Sequence, residues 1–530
     1  MRALVLTGFM GTGKTTAGRI LADRYGFDFF DTDGLIEARG GRSIREIFAE
    51  DGETAFRALE TEMLGEALRG SGRVIATGGG ALVSEDNRRL IGPDHRVICL
   101  TCSDTEELLL RLEREREVRP FFENREPEQL LALLAERESA YRCFDRLDTA
   151  ATCPGEVVEE IAGRYGLASA SLALGPGTGS EIVFERGLMG SGRRLFDRAG
   201  ISGRLVIVTD AVIRESQAVK ALLDRFTAWR EPAHAPVMVV LPAGEQHKTL
   251  RSAEQVYRAC LSARVDRSAT IVGVGGGVIC DIAGFAAATY LRGIRLVLVP
   301  TTLVAQVDAA IGGKTGVDFE GTKNIVGAFH PAERIMVDPE LLQTLPDSAL
   351  ADGLAEIVKI GAVFSDDLLQ RTERLSTPRD VLEDFATIRR AAELKAQVVQ
   401  RDPYERGERA LLNFGHTVGH GIEAASGYRL SHGTSISVGM VAETWLAERK
   451  GIADTGLGDR LRALLGHFAL PAAAPGLDPA AVMEFVLNDK KRLDGRIRLG
   501  FPTSVGDGVV GEATEEEMRA AIAYATGGAT

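Results

Sequence analysis

The sequence predicts an α/β protein built from successive units: a parallel-sheet unit opening on a P-loop, a linker, a Rossmann-like α/β unit, and a mostly α-helical unit. Three observations predict this. From residue 1 to about 165, apolar strands alternate with amphipathic helical stretches at the spacing of a parallel sheet. GLASASLALGPGTGS, Gly166 to Ser180, is small, uncharged and rich in Gly and Ser, and reads as a flexible linker. After about Pro339 the strand signals fade into long Ala/Leu/Glu/Arg stretches. The expected boundaries are 1–165, 166–180, 181–340 and 341–530.

Composition narrows the classes. A chain of 530 residues has room for several cores, and 45% hydrophobic with 26% charged residues is globular. A net charge of −13 argues against nonspecific binding to nucleic acid or anionic lipid. No apolar run approaches the ~18 residues of a membrane span, and six cysteines in so long a chain form no disulfide framework, so a cytoplasmic protein is expected. Cys99 and Cys102 make a C-x-x-C without a second pair, and read as structural thiols in an apolar strand. Of 62 strong bases only ten are lysine, and Lys14 is the only one before Lys220. Each lysine is therefore a candidate for a role that suits a compact point charge rather than a planar fork.

The elements follow in order. RALVLTGF is a buried strand, and GFMGTGKT after it fits G-x-x-x-x-G-K-[ST] before the helix TTAGRILADRYG. Backbone N–H groups of Gly11, Thr12 and Gly13 can close around phosphates; Lys14 adds charge, and Thr15, followed by Thr16, offers a hydroxyl to Mg²⁺. FFDTD ends the next strand and places Asp31 and Asp33 at one parity on the C-terminal sheet edge, one to reach Mg²⁺ and one to orient a hydroxyl. Arg57 lies in FRALE, Gly78–Gly79–Gly80 follow RVIAT, and Arg119 precedes the helix-breaking Pro120 in a segment suited to closing over ATP. Arg137 precedes Tyr141 by one turn. Singly, each arginine also fits an ordinary salt bridge.

P-loop, DTD, the Phe-Arg pair, GGG, Arg-Pro and R-x-x-x-Y, in this order, resemble shikimate kinase over the whole first 165 residues. The resemblance implies transfer of the γ-phosphoryl of ATP to shikimate. It implies Asp33, Arg57, Gly79, Gly80 and Arg137 as shikimate ligands, Asp31 and Thr15 at Mg²⁺, and Arg119 as a lid residue on ATP. Lys14 and Asp33 are the catalytic candidates.

The second unit is marked by RLVIVTD, APVMVVLPAG, ATIVGVGGG and IRLVLVPTT. Three glycines, Gly275, Gly276 and Gly277, between strand and helix are a moderate dinucleotide signal. LPAGEQHKT upstream offers Glu245 and Lys248, and Lys314, Lys323 and Asn324 downstream sit in glycine-rich loops as phosphate or carboxylate ligands. In the third unit, LNFGHTVGH places His416 and His420 on one helical face and LSHGT supplies His432, a metal-site pattern without the Glu of H-E-x-x-H. Glu356, in GLAEIVKIG with Lys359, is the expected anionic ligand.

GGGVICD, PTTLVAQVD, GGKTGV, KNIVGAF, GLAEIVK, LNFGHTVGH and SHGT together resemble 3-dehydroquinate synthase from about Glu181 to the C-terminus. The resemblance implies NAD, contacted by Asp210, Glu245, Lys248, Gly275–Gly277, Asp281, Thr301, Thr302, Asp308, Lys314 and Lys323. It implies Zn²⁺, with Co²⁺ also suited, on Glu356, His416 and His432. It places 3-deoxy-arabino-heptulosonate 7-phosphate on Lys314, Lys323, Asn324, Lys359, Lys395, Glu405, Arg409, Asn413, His420 and either Lys490 or Lys491. His420, Lys314 and Arg409 are the catalytic candidates. The implied reaction oxidises C5 transiently with NAD⁺, eliminates phosphate, returns the hydride and closes the ring to 3-dehydroquinate. Two departures stand out: Cys280 where the family usually has Gly, and LPDSALADGLAE in place of an Arg-Glu form. The family commonly dimerises, and Arg292 in TYLRG is the residue expected to reach a neighbouring site. A second reading makes the C-terminal part a metal-dependent polyol or alcohol dehydrogenase fused to a P-loop small-molecule kinase or ATP-sensing module.

Overall fold

The computed structural model describes residues 2–114, 127–175, 178–190, 198–201, 203–228, 236–320, 322–488, 492–493 and 496–527. The chain divides into two compact units, Met1–Ala168 and Ser169–Thr530.

In the first unit, strands β1 (Ala3–Gly8), β2 (Asp28–Asp31), β3 (Arg73–Ala76), β4 (Arg96–Thr101) and β5 (Asp145–Asp148) form a parallel sheet in the order β2-β3-β1-β4-β5. β1 is apolar along its length because it is covered on both faces, by Leu21, Tyr25 and Ile161 on one side and Leu64 and Leu82 on the other. The order reverses at β1, so the P-loop opens where a parallel sheet leaves its crevice. β2 ends two residues earlier than the expected sharing of Asp31 and Asp33 requires. Asp31 accepts the backbone N–H of Asp33 and caps the helix Thr32–Gly40, so Asp33 reaches the site from the first helical turn. An aspartate at this position is worth more as an N-cap than as a strand residue.

The second unit holds a seven-stranded sheet of β6 (Ser169–Gly175), β7 (Thr178–Phe184), β8 (Leu205–Asp210), β9 (Val237–Leu241), β10 (Thr270–Gly275), β11 (Arg295–Pro300) and β14 (Arg334–Val337), ordered β6-β7-β14-β11-β10-β8-β9. All neighbours are parallel except β6 with β7. The segment expected to be a loose linker is therefore sheet. Ala170 and Leu172 turn into the core of the second unit, while Leu167 and Ala168 are buried in the first. The two-residue period was there, carried by side chains too small to stand out against the Gly and Ser around them.

Lys314, Lys323 and Asn324, expected in loops, instead lie in an antiparallel hairpin of β12 (Lys314–Phe319) and β13 (Thr322–Phe329). Beyond Val337 come the helices Asp347–Phe364, Phe385–Arg401, His416–Ala425 and His432–Arg449. The mostly helical reading overlooks a second antiparallel sheet of β15 (Arg492–Leu493), β16 (Arg496–Ser504) and β17 (Asp507–Ala513), whose alternation is blunted by Gly500, Gly508 and Gly511.

The helices 416–425 and 432–449 meet backbone to backbone where Gly439 lies against Gly415. A Cβ on Gly439 would lie 1.9 Å from the Gly415 carbonyl oxygen, which is backbone and cannot yield. Gly439→Ala therefore forces the two histidine-bearing helices apart. It is expected to cost about 1–3 kcal/mol, read as a lowered Tm in calorimetry.

Candidate functional site

The first unit gathers its site around the glycines after β3. Gly13, at φ 83, caps the helix Lys14–Tyr25, a backbone conformation open to glycine and strained for most other residues. Thr12 Oγ1 and Lys14 Nζ donate to the Phe9 carbonyl at 2.7 and 2.8 Å and hold the loop's curl. Thr15 Oγ1 donates to Asp31 Oδ2 at 2.9 Å, so the two residues assigned to Mg²⁺ are neighbours. Gly11, Gly13, Lys14, Thr15, Thr16, Asp31, Asp33 and Gly79 line one small cavity.

Arg57, from the helix Gly52–Ala67, and Arg137, from Pro127–Tyr141, converge on Gly80: a Cβ there would lie 3.2 Å from Arg57 Nη1 and 3.4 Å from Arg137 Nη2. Tyr141 Oη donates to the Gly79 carbonyl at 2.5 Å and fixes that turn. Sequence reasoning missed Glu60. It is buried, pairs with Arg57 at 2.8 Å and borders Gly78 beside Asp33. Burial raises its pKa, with Arg57 pulling partly the other way. Its signal was the i, i+3 spacing from Arg57 on one helix face. Arg119 lies outside the described residues.

In the second unit a cavity of about 610 Å³ opens between the C-terminal edge of the large sheet and the helices. Glu245, Lys248, Gly277, Asp281, Asp308, Lys314, Lys323, Asn324, Lys359, Lys395, Glu405, Arg409, Asn413, His416, His420 and His432 all line it. The helix Gly277–Thr289 starts at its edge, with N–H groups and dipole available to a pyrophosphate. Gly276 packs against Thr302, 3.1 Å from a built Cβ to Cγ2, and Thr301 N donates to the Gly275 carbonyl. Asp210, at the end of β8, spends its Oδ1 on the N–H groups of Val212 and Ile213. Asp210, Gly275, Gly276, Thr301 and Thr302 form the sheet edge and do not line the cavity itself. Lys490 and Lys491 lie outside the described residues.

Charges along the cavity are paired across elements. Lys248 joins Asp281 and Asn324, each at 2.5 Å. Lys314 and Asn413 both hold Glu405. Lys395 donates to Asp308 Oδ1 at 2.6 Å. Burial pushes the Lys395 ammonium down to about 8, with Asp308 acting against the shift and Lys359 adding to it. Arg409 is buried and donates to the carbonyls of Pro403 and Gly312.

At the cavity floor Glu356 is fully buried. Its Oε2 pairs with Lys359, while Oε1 faces His432 Nε2 at 3.0 Å and His416 Nε2 at 3.5 Å. Burial would raise this carboxyl, but Lys359 and His432 hold it well below the usual range. Against its own burial, His432 is pushed up to about 10 by Glu356 and Glu423. His416, facing the same carboxylate oxygen, is held well below its ordinary value by burial and by Lys359. The donor atoms of Glu356, His416 and His432 lie within 4.8 Å of one another, a His₂Glu set that suits a divalent metal with an open position. His416 Nδ1 is 3.2 Å from the Phe414 carbonyl, which leaves Nε2 as the ligating nitrogen.

Comparison with known proteins agrees with this division. Residues 10–165 match the family model of shikimate kinase. Residues 238–352 match that of the 3-dehydroquinate synthase N-terminal region, and 353–492 that of the C-terminal region. A bifunctional shikimate kinase/3-dehydroquinate synthase of Thermotoga maritima is 30% identical over 509 residues, 95% of this chain and 96% of that protein. A 3-dehydroquinate synthase of Symbiobacterium thermophilum is 44% identical over 315 residues, 58% of this chain and 86% of that one. Among solved structures, a 2-epi-5-epi-valiolone synthase from Streptomyces hygroscopicus with NAD⁺ and Zn²⁺ bound is 29% identical at a TM-score of 0.59, covering 66% of this chain and 98% of its own.

Glu356→Gln and His432→Ala are each expected to reduce tightly bound Zn²⁺ from about one ion per chain to near none after dialysis, since a three-ligand site rarely survives loss of one ligand. Elemental analysis by plasma mass spectrometry reads the change directly.

Proposed function

We infer the residue roles in two reactions from one premise: the chain belongs to the family of bifunctional shikimate kinase/3-dehydroquinate synthases. It phosphorylates shikimate with ATP at one site and converts 3-deoxy-arabino-heptulosonate 7-phosphate to 3-dehydroquinate at the other. The observation that carries the residue assignments is convergence. Side chains as far apart in sequence as Glu245 and His432 meet in one cavity beside a buried carboxylate flanked by two histidines.

In the kinase unit, the P-loop amides and Lys14 hold the transferring phosphates, and Arg57 and Arg137 grip the shikimate carboxylate as a two-sided clamp over Gly80. Glu60 keeps Arg57 oriented. Asp33 accepts the proton of the attacking hydroxyl, which the rigid first turn of its helix holds in line. In the synthase unit, Asp281 and Lys248 lie at the dinucleotide end. Lys314, Asn324 and Arg409 take the substrate phosphate, and Glu405 fixes Lys314 and Asn413 toward it. Lys359 and Lys395 face the substrate's oxygens. His420, beside the phosphate ligands, moves the proton that accompanies elimination. When bound, Mg²⁺ neutralises the ATP phosphates, NAD⁺ takes up and returns a hydride, and Zn²⁺ on Glu356, His416 and His432 acidifies a hydroxyl.

The polyol dehydrogenase reading differs in its electron balance: it accumulates NADH, whereas the synthase releases phosphate with no net NADH. We further place the protein in the cytoplasm as a homodimer through the synthase unit. No helix among the described residues is long and apolar enough to cross a membrane. Exposed Leu291 and Arg292, both at positive φ, form a strained projection suited to a partner subunit. Light scattering tests the dimer.

Supplying each substrate set separately tests the main reading. Lys14→Met is expected to abolish shikimate-dependent ADP formation and leave phosphate release from the heptulosonate phosphate intact. Arg57→Lys loses the bidentate grip, and KM for shikimate rises roughly tenfold, the scale of one charge-assisted bond. Lys395, with its pKa lowered to about 8, is charged below that pH and neutral above it. Its attraction for an anionic substrate is therefore lost as pH rises through about 8, and KM of the synthase reaction increases there in a pH-dependent initial-rate series.

A further inference from the structure

The two imidazoles at the cavity floor are supported differently. His416 has the Phe414 carbonyl at its Nδ1. His432 Nδ1 instead faces Glu423 Oε2 at 3.8 Å. That oxygen is buried and has no hydrogen-bond partner. The other oxygen, Oε1, accepts from Lys323 Nζ at 2.9 Å, and Lys323 also lies 3.4 Å from Glu245 and beneath the Tyr428 ring. A buried carboxylate oxygen left unpaired is costly. Here its neighbour is the ring nitrogen that His432 does not turn toward Glu356.

We propose that Glu423 is the positioning residue of His432, accepting the Nδ1–H so that the Nε2 lone pair is left for the metal that Glu356 would share, with Lys323 from β13 holding the carboxylate in place. This rests on the reading of Glu356, His416 and His432 as the metal site. Contraction of 3.8 Å to a hydrogen bond needs a shift of less than 1 Å. A carboxylate at this position makes the ligating nitrogen more basic and fixes its tautomer. It also joins the hairpin at the nucleotide side to a metal ligand on the helical side. His420, Glu423 and His432 could alternatively gather a second ion, since their donor atoms also lie within 4.8 Å. Glu423 Oε1 accepts from Lys323 just as Glu356 Oε2 accepts from Lys359, so the number of ions bound separates the two readings.

The test measures Zn²⁺ affinity of the full chain by competition with a chromogenic chelator, and the visible spectrum of the Co²⁺-loaded protein. Glu423→Gln, close to isosteric, and Glu423→Ala are expected to weaken Zn²⁺ about 10- to 100-fold, the range for loss of such a partner, and to shift the Co²⁺ bands. Lys323→Met shifts both in the same direction by less. Circular dichroism that matches the parent separates this from misfolding, and Glu423→Gln carries the test if Glu423→Ala does not fold. Affinity within twofold of the parent in Glu423→Gln, with His432→Ala still losing Zn²⁺, overturns the proposal alone. A parent that holds two ions and a Glu423→Gln variant that holds one overturns it in favour of a second metal site. Zn²⁺ binding unaffected by His432→Ala removes the metal site and this proposal with it.

Discussion

A fully buried carboxylate, Glu356, is the constraint around which the second unit is arranged. Taking such a charge from water costs several kcal/mol unless its oxygens are matched. Lys359 matches one oxygen from the same helix, and His416 and His432 face the other from two more. Those two helices must then start at the same depth. Glu443, also buried, secures this by accepting the N–H groups of Gly415 and Val418, so the second helix caps the first. The absence of a side chain at Gly439 permits the approach. Lys359 and Lys395 extend the charge network to Asp308 under the sheet edge, so the fold and the chemistry share one set of ions.

The first unit solves a related problem, and its described residues hold no buried His/Cys/Asp/Glu metal cluster. Its anionic ligands must be held and released, so its charges sit on half-exposed arginines over backbone glycine. Arg57 is steered by Glu60 and Glu53 from its own helix, and planar guanidiniums approach a carboxylate with little further ordering. The absence of Cβ atoms at Gly79 and Gly80 keeps the space above the turn open.

What was legible in the sequence was what short-range spacing encodes. The P-loop, the Asp31 and Thr15 pair, the three histidines and the glycine run needed only a strand before and a helix after. Residues whose meaning is a partner far along the chain were harder. Glu60 and Glu423 look like ordinary acidic positions in amphipathic helices until Gly78 and Lys323 arrive beside them. Asp33 lines the P-loop cavity but starts a helix where a strand end was expected, because capping by Asp31 is a competition that the dipeptide alone does not settle. The hairpin β12–β13 and the sheet β15–β17 were hidden by glycines, which lower strand propensity while allowing close backbone approach: a Cβ on Gly327 would lie 2.3 Å from the Thr315 carbonyl oxygen. The lysine count, by contrast, raised Lys14, Lys248, Lys314, Lys323, Lys359 and Lys395, which line the two cavities, along with Lys220 and Lys450, which pair with Glu215 and Glu517. It was blind to every contact borne by arginine.

The strand β6 carries a consequence for how the two activities can be separated. Leu167 and Ala168 belong to one hydrophobic core and Leu172 to another, and Ser169 is already paired to Val183. A split gene that cuts within β6 takes part of an edge strand from the second unit and exposes the unpaired side of β7, a template for aggregation. A break near residue 168 instead leaves both cores, and β6 beside β7, intact.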